Sequence, residues 1–421
     1  MKPQVNRALL HLRRRLGLFR FRLSSALEER LESLVFNRFS SSAEARSRTA
    51  LLLTPGGHNT GDQAMYDSVV LNVSNPITVI VPTIGGFDHG LLDSRCDSVV
   101  IEAPFLLKGG LLRHMLGLLR TIPAIRQCSQ FLVIGADVMD GGYSERSSVR
   151  TWRLLSQVHQ NGFASGRVLG FSWNGAPQGS VRVAVRKAAS VGVECRVRDQ
   201  ISLDRILPLH PGAILSSDVV FANSQLRAQQ PLGMLEPGSS PTVVINVSSL
   251  VAKALDVVSE YVLVCESLLK SGYRLILVSH VTHPSSDDRP LILELARRLP
   301  QDGRVDVLAH AMSPAAVAET VQRAAFAITG RMHLSIICAV QGRPAIVLAT
   351  QGKVQGLMDL LQVPEFCVVP GPGLAASVLE AVARLSEQPA DIQDALGRGV
   401  VSARDLARFN FMSDAEVLAI L

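Results

Sequence analysis

The stretch "AAFAITGRMHLSIICAVQGRPAIVLAT", residues Ala324–Thr350, establishes the fold class. Two short apolar runs, "AAFAITG" and "PAIVLA", flank the segment "MHLSIICAVQ", which is followed by the helix stop signals Gly342 and Pro344. Apolar runs this continuous are typical of strands that are buried on both faces of a parallel sheet. The stretch therefore predicts a strand–helix–strand unit of a doubly wound α/β fold.

The same alternation extends along the chain in both directions. Six further runs, from "TALLLTP" to "ECRVRD", predict one sheet within residues 46–224. The polar segment at 225–241 is rich in Pro and Gly, which predicts a linker. Residues 242–421 carry a second set of runs, followed by C-terminal helices. We expect two Rossmann-like domains facing across a cleft, with ligands at the carboxyl ends of the strands.

Composition excludes several classes of protein. The chain has 421 residues, too many for one compact core, and 47% of them are hydrophobic against 19% charged, as in globular proteins. Only 5% are aromatic, which argues against a module that stacks sugars or bases on aromatic faces. The six cysteines are scattered without a CxxC motif, so we expect reduced thiols and neither disulfides nor a zinc site.

The net charge of +6 is concentrated in an N-terminal arm, residues 1–45. Met1–Phe36 contains eight Lys or Arg against three Glu, interleaved with Leu and Phe. The arginines interrupt the apolar residues too often for a secretory signal or a membrane span. Two interpretations stay open: peripheral contact with an anionic membrane surface, or a helix that packs on the body. We expect a cytoplasmic protein, on the inner face of the membrane under the first interpretation, and no nucleic-acid partner.

Cations follow two neighbouring strands of the second predicted sheet. Arg331 and His333 begin the helix after one strand, and Lys353 begins the helix after the next. Parallel strands would bring them to one crevice, where helix N-termini add free N–H groups. Arg grips carboxylate or phosphate with two hydrogen bonds, and Lys adds a point charge, so an anion site is predicted. Solvent-exposed helix-end charges are the alternative. On the site hypothesis, Arg331→Ala should leave the fold intact and lower activity.

Polar loops also follow strands of the first sheet. In "LLLTPGGHNTGDQAMYDSVV" a glycine-rich loop precedes Asp62, which is either a helix N-cap or a carboxylate that orients or deprotonates a hydroxyl. Asp137 and Asp140 follow a third strand, Asn174 a fourth and Arg198 a fifth. Each has an alternative role in turn formation, but five polar loops at one end of a sheet favour a ligand site.

The ordered set of motifs resembles the polysaccharide pyruvyl transferase family. "NTGDQAM" is similar to its N-x-G-D-x-A/I loop, "LGFSWNGAP" to its S-x-G-P turn, and "RDQISLDRIL" to its R-D-x-x-S-x-x-x-L element. "SSDVVFA" looks like the strand after that element, and "GRMHLSIICAVQGRPAIVLATQGKVQG" like the R-x-H helix, G-x-P strand and K-x-x-G turn. The resemblance spans Leu51–Leu361. It differs at "GADVMDGG", where the family often has a glycine triplet.

This resemblance implies a GT-B-like fold and a specific reaction. The enzyme would transfer a pyruvyl group from phosphoenolpyruvate (PEP) to two hydroxyls of a sugar or lipid-linked glycan, forming a cyclic ketal. His333 would act as acid or phosphate partner, Asp62 as base, and Arg331 as the third catalytic residue. No cofactor or metal is expected besides PEP as donor substrate. The implied substrate-binding residues are Arg198, Lys353, Asn59, Gly61, Asn174, Asp137 and Asp140.

Two other functions remain open from the sequence. A nucleotide-sugar glycosyltransferase with the same two domains would use Arg331 and Lys353 to bind a diphosphate. An inactive membrane-associated scaffold of polysaccharide assembly is the third, although the complete set of candidate residues argues against it. The donor, PEP or a nucleotide sugar, distinguishes the two enzymes.

Overall fold

The computed structural model contains two α/β domains, each built on one parallel sheet, and the predicted class of two Rossmann-like domains is confirmed. The residues that the structure describes are 25–39, 47–53, 57–227, 240–252, 256–349 and 352–421.

In the part of the chain that the structure describes, the N-terminal sheet has seven parallel strands in the order β3-β2-β1-β4-β5-β6-β7. The central strand β1 is buried along most of its length, with Leu51 opposite Val79 on one side and Leu132 on the other. This burial explains why the strands read as continuous apolar runs. The strands are β1 (Arg48–Leu52), β2 (Ile77–Val81), β3 (Val99–Glu102), β4 (Cys128–Ile134), β5 (Ser165–Phe171), β6 (Glu194–Val197) and β7 (Ala213–Leu215).

Within the described residues, helices α1 to α7 accompany this sheet. Three of them begin at a side chain that accepts a backbone N–H: Asn59 before α2, Ser144 before α5 and Asp199 before α7. The helices are α1 (25–37), α2 (Thr60–Asn72), α3 (Gly90–Asp93), α4 (Leu111–Ile125), α5 (Glu145–Gln160), α6 (Gly179–Ser190) and α7 (Gln200–Ile206).

One expected strand is absent from the position that the resemblance implied. In "SSDVVFA", Val219–Ala222 forms a short 3-10 helix whose N-cap is Asp218, and the strand lies earlier, at β7. The aspartate accepts the Val220 amide at 3.1 Å, which favours a turn over an extended chain. The expectation was therefore wrong, and the turn places Asp218 at the sheet edge.

Among the described residues, the C-terminal sheet has six parallel strands in the order β10-β9-β8-β11-β12-β13. Its strands are β8 (Thr242–Asn246), β9 (Arg274–Val278), β10 (Val305–Leu308), β11 (Phe326–Thr329), β12 (Ala345–Leu348) and β13 (Cys367–Val368). The helices are α8 (Val257–Lys270), α9 (Arg289–Arg298), α10 (Pro314–Gln322), α11 (Met332–Val340), α12 (Lys353–Leu360), α13 (Leu374–Glu387), α14 (Pro389–Arg408) and α15 (Asp414–Leu418).

The chain end returns to the N-terminal domain. The buried guanidinium of Arg196 donates to the Phe409 carbonyl at 2.8 Å and to the Asp414 carboxylate at 2.5 Å. Asn410 accepts the Gly170 amide at 2.8 Å. Residues placed by sequence in the C-terminal domain, 242–421, therefore include a segment that packs on the first sheet.

The described part of the predicted arm is a docked helix. Phe36 of α1 is buried, Glu28 binds Arg150 at 2.7 Å, and Glu32 lies 3.0 Å from His114. For residues 25–39 the interpretation of a helix packed on the body therefore applies. Residues 1–24 and 40–46 of the arm lie outside the described residues. Within the described chain, no helix combines the length and apolarity needed to cross a bilayer.

Backbone pairing joins the two domains beside the cleft. Asn59 and Val281 form an isolated antiparallel bridge, and the Thr60 amide donates to the His280 carbonyl at 3.1 Å. Gly356 of α12 packs against Asp199, where an added Cβ would come within 2.7 Å of the aspartate Cβ. These contacts hold the carboxyl ends of both sheets face to face.

Candidate active site

A cleft of about 450 Å³ lies between the carboxyl ends of the two sheets. Both domains contribute its walls, as expected for this architecture. The predicted site residues that line it are Asn59, Asp62, Asp137, Arg198, Arg331, His333 and Lys353.

An Arg198–Asp218–His333 cluster connects the domains. Arg198 follows β6 and donates to Asp218 Oδ2 at 2.8 Å, and His333 Nε2 lies 3.3 Å from the same oxygen. Burial by itself would raise the pKa of Asp218, but the charges of His333 and Arg198 outweigh it and lower the pKa to about 2. The imidazole therefore faces an ionised carboxylate at neutral pH.

Gly61 brings the glycine loop against His333. The Asn59 side chain accepts the Gly61 amide at 2.9 Å and so starts helix α2 at this position. A Cβ on Gly61 would collide with the His333 ring. Only glycine lets the loop approach this closely, so Gly61 takes part in the site through its missing side chain.

Asp62, in the first turn of α2, lies near His333. Burial raises its pKa to about 6; the charge of His333 opposes this shift, and that of Asp137 adds to it. The hydrogen bonds from Gly57 and Asn59 lower the pKa and only partly offset burial. A carboxylate with this pKa is a proton acceptor suited to near-neutral pH.

Lys353 and Asp137 form an ion pair across the cleft. Lys353 begins α12 in the C-terminal domain, Asp137 follows β4 in the N-terminal one, and Tyr143 donates its hydroxyl to the same aspartate oxygen at 3.0 Å. Burial would raise the pKa of Asp137, but Lys353 and Arg198 hold it well below its usual range. The carboxylate is therefore ionised, and its pairing with Lys353 crosses between domains.

Arg331 is held by a buried carboxylate. Its Nη2 donates to Asp288 Oδ1 at 2.6 Å and to Ser249 Oγ at 3.0 Å, and its Nε donates to Asp288 Oδ2 at 3.1 Å. Asp288 has no exposed surface. Among the described residues, Nη1 of Arg331 makes no hydrogen bond to protein, so part of the guanidinium stays available.

Two predicted residues form turns behind the cleft. Asp140 accepts the Gly142 amide at 2.7 Å and the Asn174 amide at 3.3 Å, and Asn174 Oδ1 accepts the Ala176 amide at 2.6 Å. Both line a small cavity of about 20 Å³ next to Asp137. Their side-chain oxygens accept backbone N–H groups of the loops. These two residues therefore have the role in turn formation that was the alternative to ligand binding.

Sequence reasoning did not assign roles to several cleft residues. Asp218 stood in a quoted motif without a role, and Asp288 lies in a loop with no motif. His280, two residues after β9, is 3% exposed, and neither of its ring nitrogens has a hydrogen-bond partner among the described residues. Burial, then His333 and Arg331, lower the pKa of His280 well below its usual range, so its ring is neutral. Lys108 is exposed and also lines the cleft.

One group of potential metal ligands exists in the described chain, outside the cleft. Glu28, Glu32 and His114 offer ligand atoms within 4.8 Å of one another. Arg150 contacts both oxygens of Glu28, at 2.7 and 3.1 Å, which is the geometry of an ion pair. The group attaches α1 to the body. The prediction that the enzyme uses no metal stays a prediction.

Several solved structures share this fold at low sequence identity. A putative UDP-N-acetylglucosamine 2-epimerase from Listeria monocytogenes has a TM-score of 0.56 at 10% identity, covering 88% of this chain and 98% of its own. A glycosyltransferase from Rickettsia africae has a TM-score of 0.55 at 13% sequence identity, and the match covers 89% of this chain and 99% of that structure. An Anabaena protein solved in complex with UDP-glucose has a TM-score of 0.55 at 12% sequence identity, and the match covers 89% of this chain and 100% of that structure. The GT-B-like fold is thus confirmed.

Sequence comparison identifies the family. Curated proteins give no match. A family model described as polysaccharide pyruvyl transferase matches residues 59–352, which is most of the chain. The matched region begins at the Asn59 cap and ends at the turn before Lys353, so it includes nearly all of the cleft residues. The chain belongs to the polysaccharide pyruvyl transferase family of polysaccharide-modifying transferases.

Proposed function

We propose that this enzyme transfers a pyruvyl group from PEP to two hydroxyls of a sugar in a polysaccharide or glycan precursor, forming a cyclic ketal. Family membership supports pyruvyl transfer to a polysaccharide. The donor and the ketal product rest on the chemistry of the cleft, which combines cations for an anionic donor with an acid–base pair.

The cations of the cleft suit a donor with a phosphate and a carboxylate. Arg198, Arg331 and Lys353 are each paired with an aspartate, so their side chains are oriented before any substrate binds. Nη1 of Arg331 has no protein partner among the described residues, and exposed Lys108 adds a further positive charge at the wall. A dianionic phosphate would bind to these cations while their ion pairs with the aspartates remain.

The proton transfers need one acid and one base. The C3 methylene of PEP gains a proton, and the first sugar hydroxyl attacks C2 and loses its proton. The second hydroxyl then forms the second C–O bond at C2 as the bond from C2 to the phosphate oxygen breaks, and its proton leaves on the inorganic phosphate. We assign the proton delivered to C3 to His333, whose Nε2 lies 3.3 Å from the Asp218 carboxylate in the cleft. Asp62 accepts the hydroxyl proton.

The single observation that carries this proposal is the contact between the two domains at His333. The imidazole of the C-terminal domain lies against the Gly61 backbone, one residue before Asp62, and beside Asp218. An acid and a base from opposite domains thus meet in a cleft with several cations. A cleft of this kind can position both substrates for reaction.

The test is incubation of the enzyme with isotopically labelled PEP and a panel of lipid-linked and free glycans. We expect release of inorganic phosphate and label in the glycan, with a ketal seen by NMR. The His333→Gln variant should release inorganic phosphate about 10²-fold more slowly than wild type. Phosphate release without labelled glycan would contradict group transfer.

Nucleotide-sugar transfer is the alternative that the same assay addresses. The UDP-glucose complex of the Anabaena protein shares the fold at 12% identity, which says nothing about the donor of this chain. UDP-glucose should therefore give no transfer under the conditions in which PEP does. Glucose transfer with PEP inactive would replace the proposal.

A further inference from the structure

We propose that helices α1 and α4 form a docking surface for an anionic membrane. The surface, named here the α1–α4 face, is defined by the exposed side chains Leu27, Leu34, Leu112, Leu116, Arg113 and Arg120. It consists of folded elements on the N-terminal domain, so it does not depend on the sequence of residues 1–24.

The outer side of α4 is apolar and exposed, with no packing partner among the described residues. Leu112 is 79% exposed, Leu116 65% and Leu119 37%, and their spacing of four and three residues places them on one side of the helix. Single exposed leucines are ordinary on a protein surface, but a row along one helix marks an interaction site. The row therefore needs a partner with an apolar layer.

Positive charge borders this row. Arg113 and Arg120 of α4 are exposed, and the helix has no acidic residue. The Arg113 guanidinium lies 4.8 Å from the ring centroid of Phe105, which is itself 41% exposed. Leucines between arginines are the pattern of helices that lie in the headgroup layer of anionic bilayers. The charge favours such a lipid surface over a neutral protein partner.

Helix α1 continues the pattern because its acidic side faces the protein. Glu28 is paired with Arg150, and Glu32 lies 3.0 Å from His114 of α4, so the two helices are in contact. The opposite side of α1 presents Leu27, 53% exposed, and Leu34, 61% exposed. The third glutamate of α1, Glu29, is half exposed and paired with Arg153 at 3.2 Å.

The α1–α4 face is close in sequence to two residues that line the cleft. Leu107 and Lys108, just before α4, line the cleft. A protein docked by this face would hold its cleft near the headgroup region, where a glycan carried on a lipid anchor is presented. This last step rests on the proposed function, whereas docking itself does not.

The test is cosedimentation of the full-length protein with vesicles of phosphatidylcholine mixed with phosphatidylglycerol. We expect binding that weakens at high salt and is weak on pure phosphatidylcholine. The double variant Leu112→Glu/Leu116→Glu should bind at least ~10-fold more weakly, since it loses apolar insertion and gains repelled charge. The matched control Leu263→Glu/Val401→Glu changes residues of similar exposure on the C-terminal domain and should bind as wild type.

A second variant separates charge from insertion. Arg113→Gln/Arg120→Gln should reduce both the binding and its salt dependence while preserving the melting temperature. No PEP or glycan is present, so the result is independent of the pyruvyl transfer assay. The proposal is overturned if the leucine variant binds like wild type, or if wild type ignores the vesicles. It is equally overturned if the leucine variant merely converts a dimer to a monomer in gel filtration.

Discussion

At the level of single residues, the cleft is defined by pairs of opposite charge. Arg331 with Asp288, Arg198 with Asp218, and Lys353 with Asp137 each combine a cation and a carboxylate in a buried or half-buried setting. Such pairs hold the side chains in place before a substrate arrives, and breaking one strands a buried charge. Substitutions in this cleft therefore affect stability as well as activity.

Arg331→Ala should destabilise the protein, contrary to the expectation from sequence that the fold stays intact. Fully buried Asp288 would lose its bidentate partner, at a cost of about 3–5 kcal/mol. Urea unfolding of the variant measures this loss. Arg331→Ala/Asp288→Asn, which removes the stranded charge, should recover part of it. Unchanged stability in the single variant would restore the original expectation.

His333→Gln should separate binding from chemistry. Glutamine keeps a hydrogen bond but delivers no proton from a cation, so turnover should fall about 10²-fold while PEP still binds. Calorimetry gives the PEP affinity, and phosphate release gives turnover. If affinity and turnover fall in proportion, His333 is a ligand clamp and not the acid.

Protonation of Asp62 should lower activity at acidic pH, and its ionisation should lower the stability of the fold as pH rises. Its pKa of about 6 in the folded protein exceeds the ordinary value of 3.8, so the folded state holds this proton more tightly than the unfolded state. Its contribution to stability is full below pH 3.8 and is lost as pH rises through 6. Asp62→Asn should therefore be inactive, with a melting temperature that gains on wild type as pH rises through this range. A gain that is equal at pH 4 and pH 8 would contradict the shifted pKa.

At the level of elements, two glycines of α14 have opposite surroundings. Gly399 packs on the end of α12, where an added Cβ would collide with the Leu361 carbonyl, whereas no atom lies within 4 Å of the Cβ position at Gly397. Gly397→Ala should stabilise by up to about 1 kcal/mol through helix propensity. Gly399→Ala should destabilise by about 1–3 kcal/mol through overpacking. Thermal melts of both variants compare them within one helix, and a stabilising Gly399→Ala would refute the close packing.

At the level of the whole molecule, the N-terminal segment has a part that the body needs. Deleting 1–38 removes α1, and with it buried Phe36 and the partner of Arg150, which should cost at least ~2 kcal/mol from the apolar burial alone. Deleting 1–24 removes none of these contacts and should lower the melting temperature less than deleting 1–38 does. Differential scanning calorimetry compares the two truncations. Equal melting temperatures would show that α1 does not stabilise the body.

The sequence by itself determined most of the strands, many of the helices between them and the edge of the sheet at which the site lies. These features depend on local properties: apolar runs such as "AAFAITG", the stop at Gly342 and Pro344, and N-caps such as Asn59. A residue that follows a parallel strand must lie at the carboxyl edge, so Arg198, His333 and Lys353 were placed without knowledge of their partners.

Only the tertiary structure decided how these residues are paired. Lys353 meets Asp137 across 216 positions of sequence, and Arg331 meets Asp288 across 43. The same holds for α1, for which the sequence left open both membrane contact and packing on the body, and whose Glu28 binds Arg150 in the structure. The physical reason is that ion pairing depends on distances between elements of two domains. Those distances are set by how the sheets pack and by close contacts such as Gly61 on His333, which no local pattern encodes.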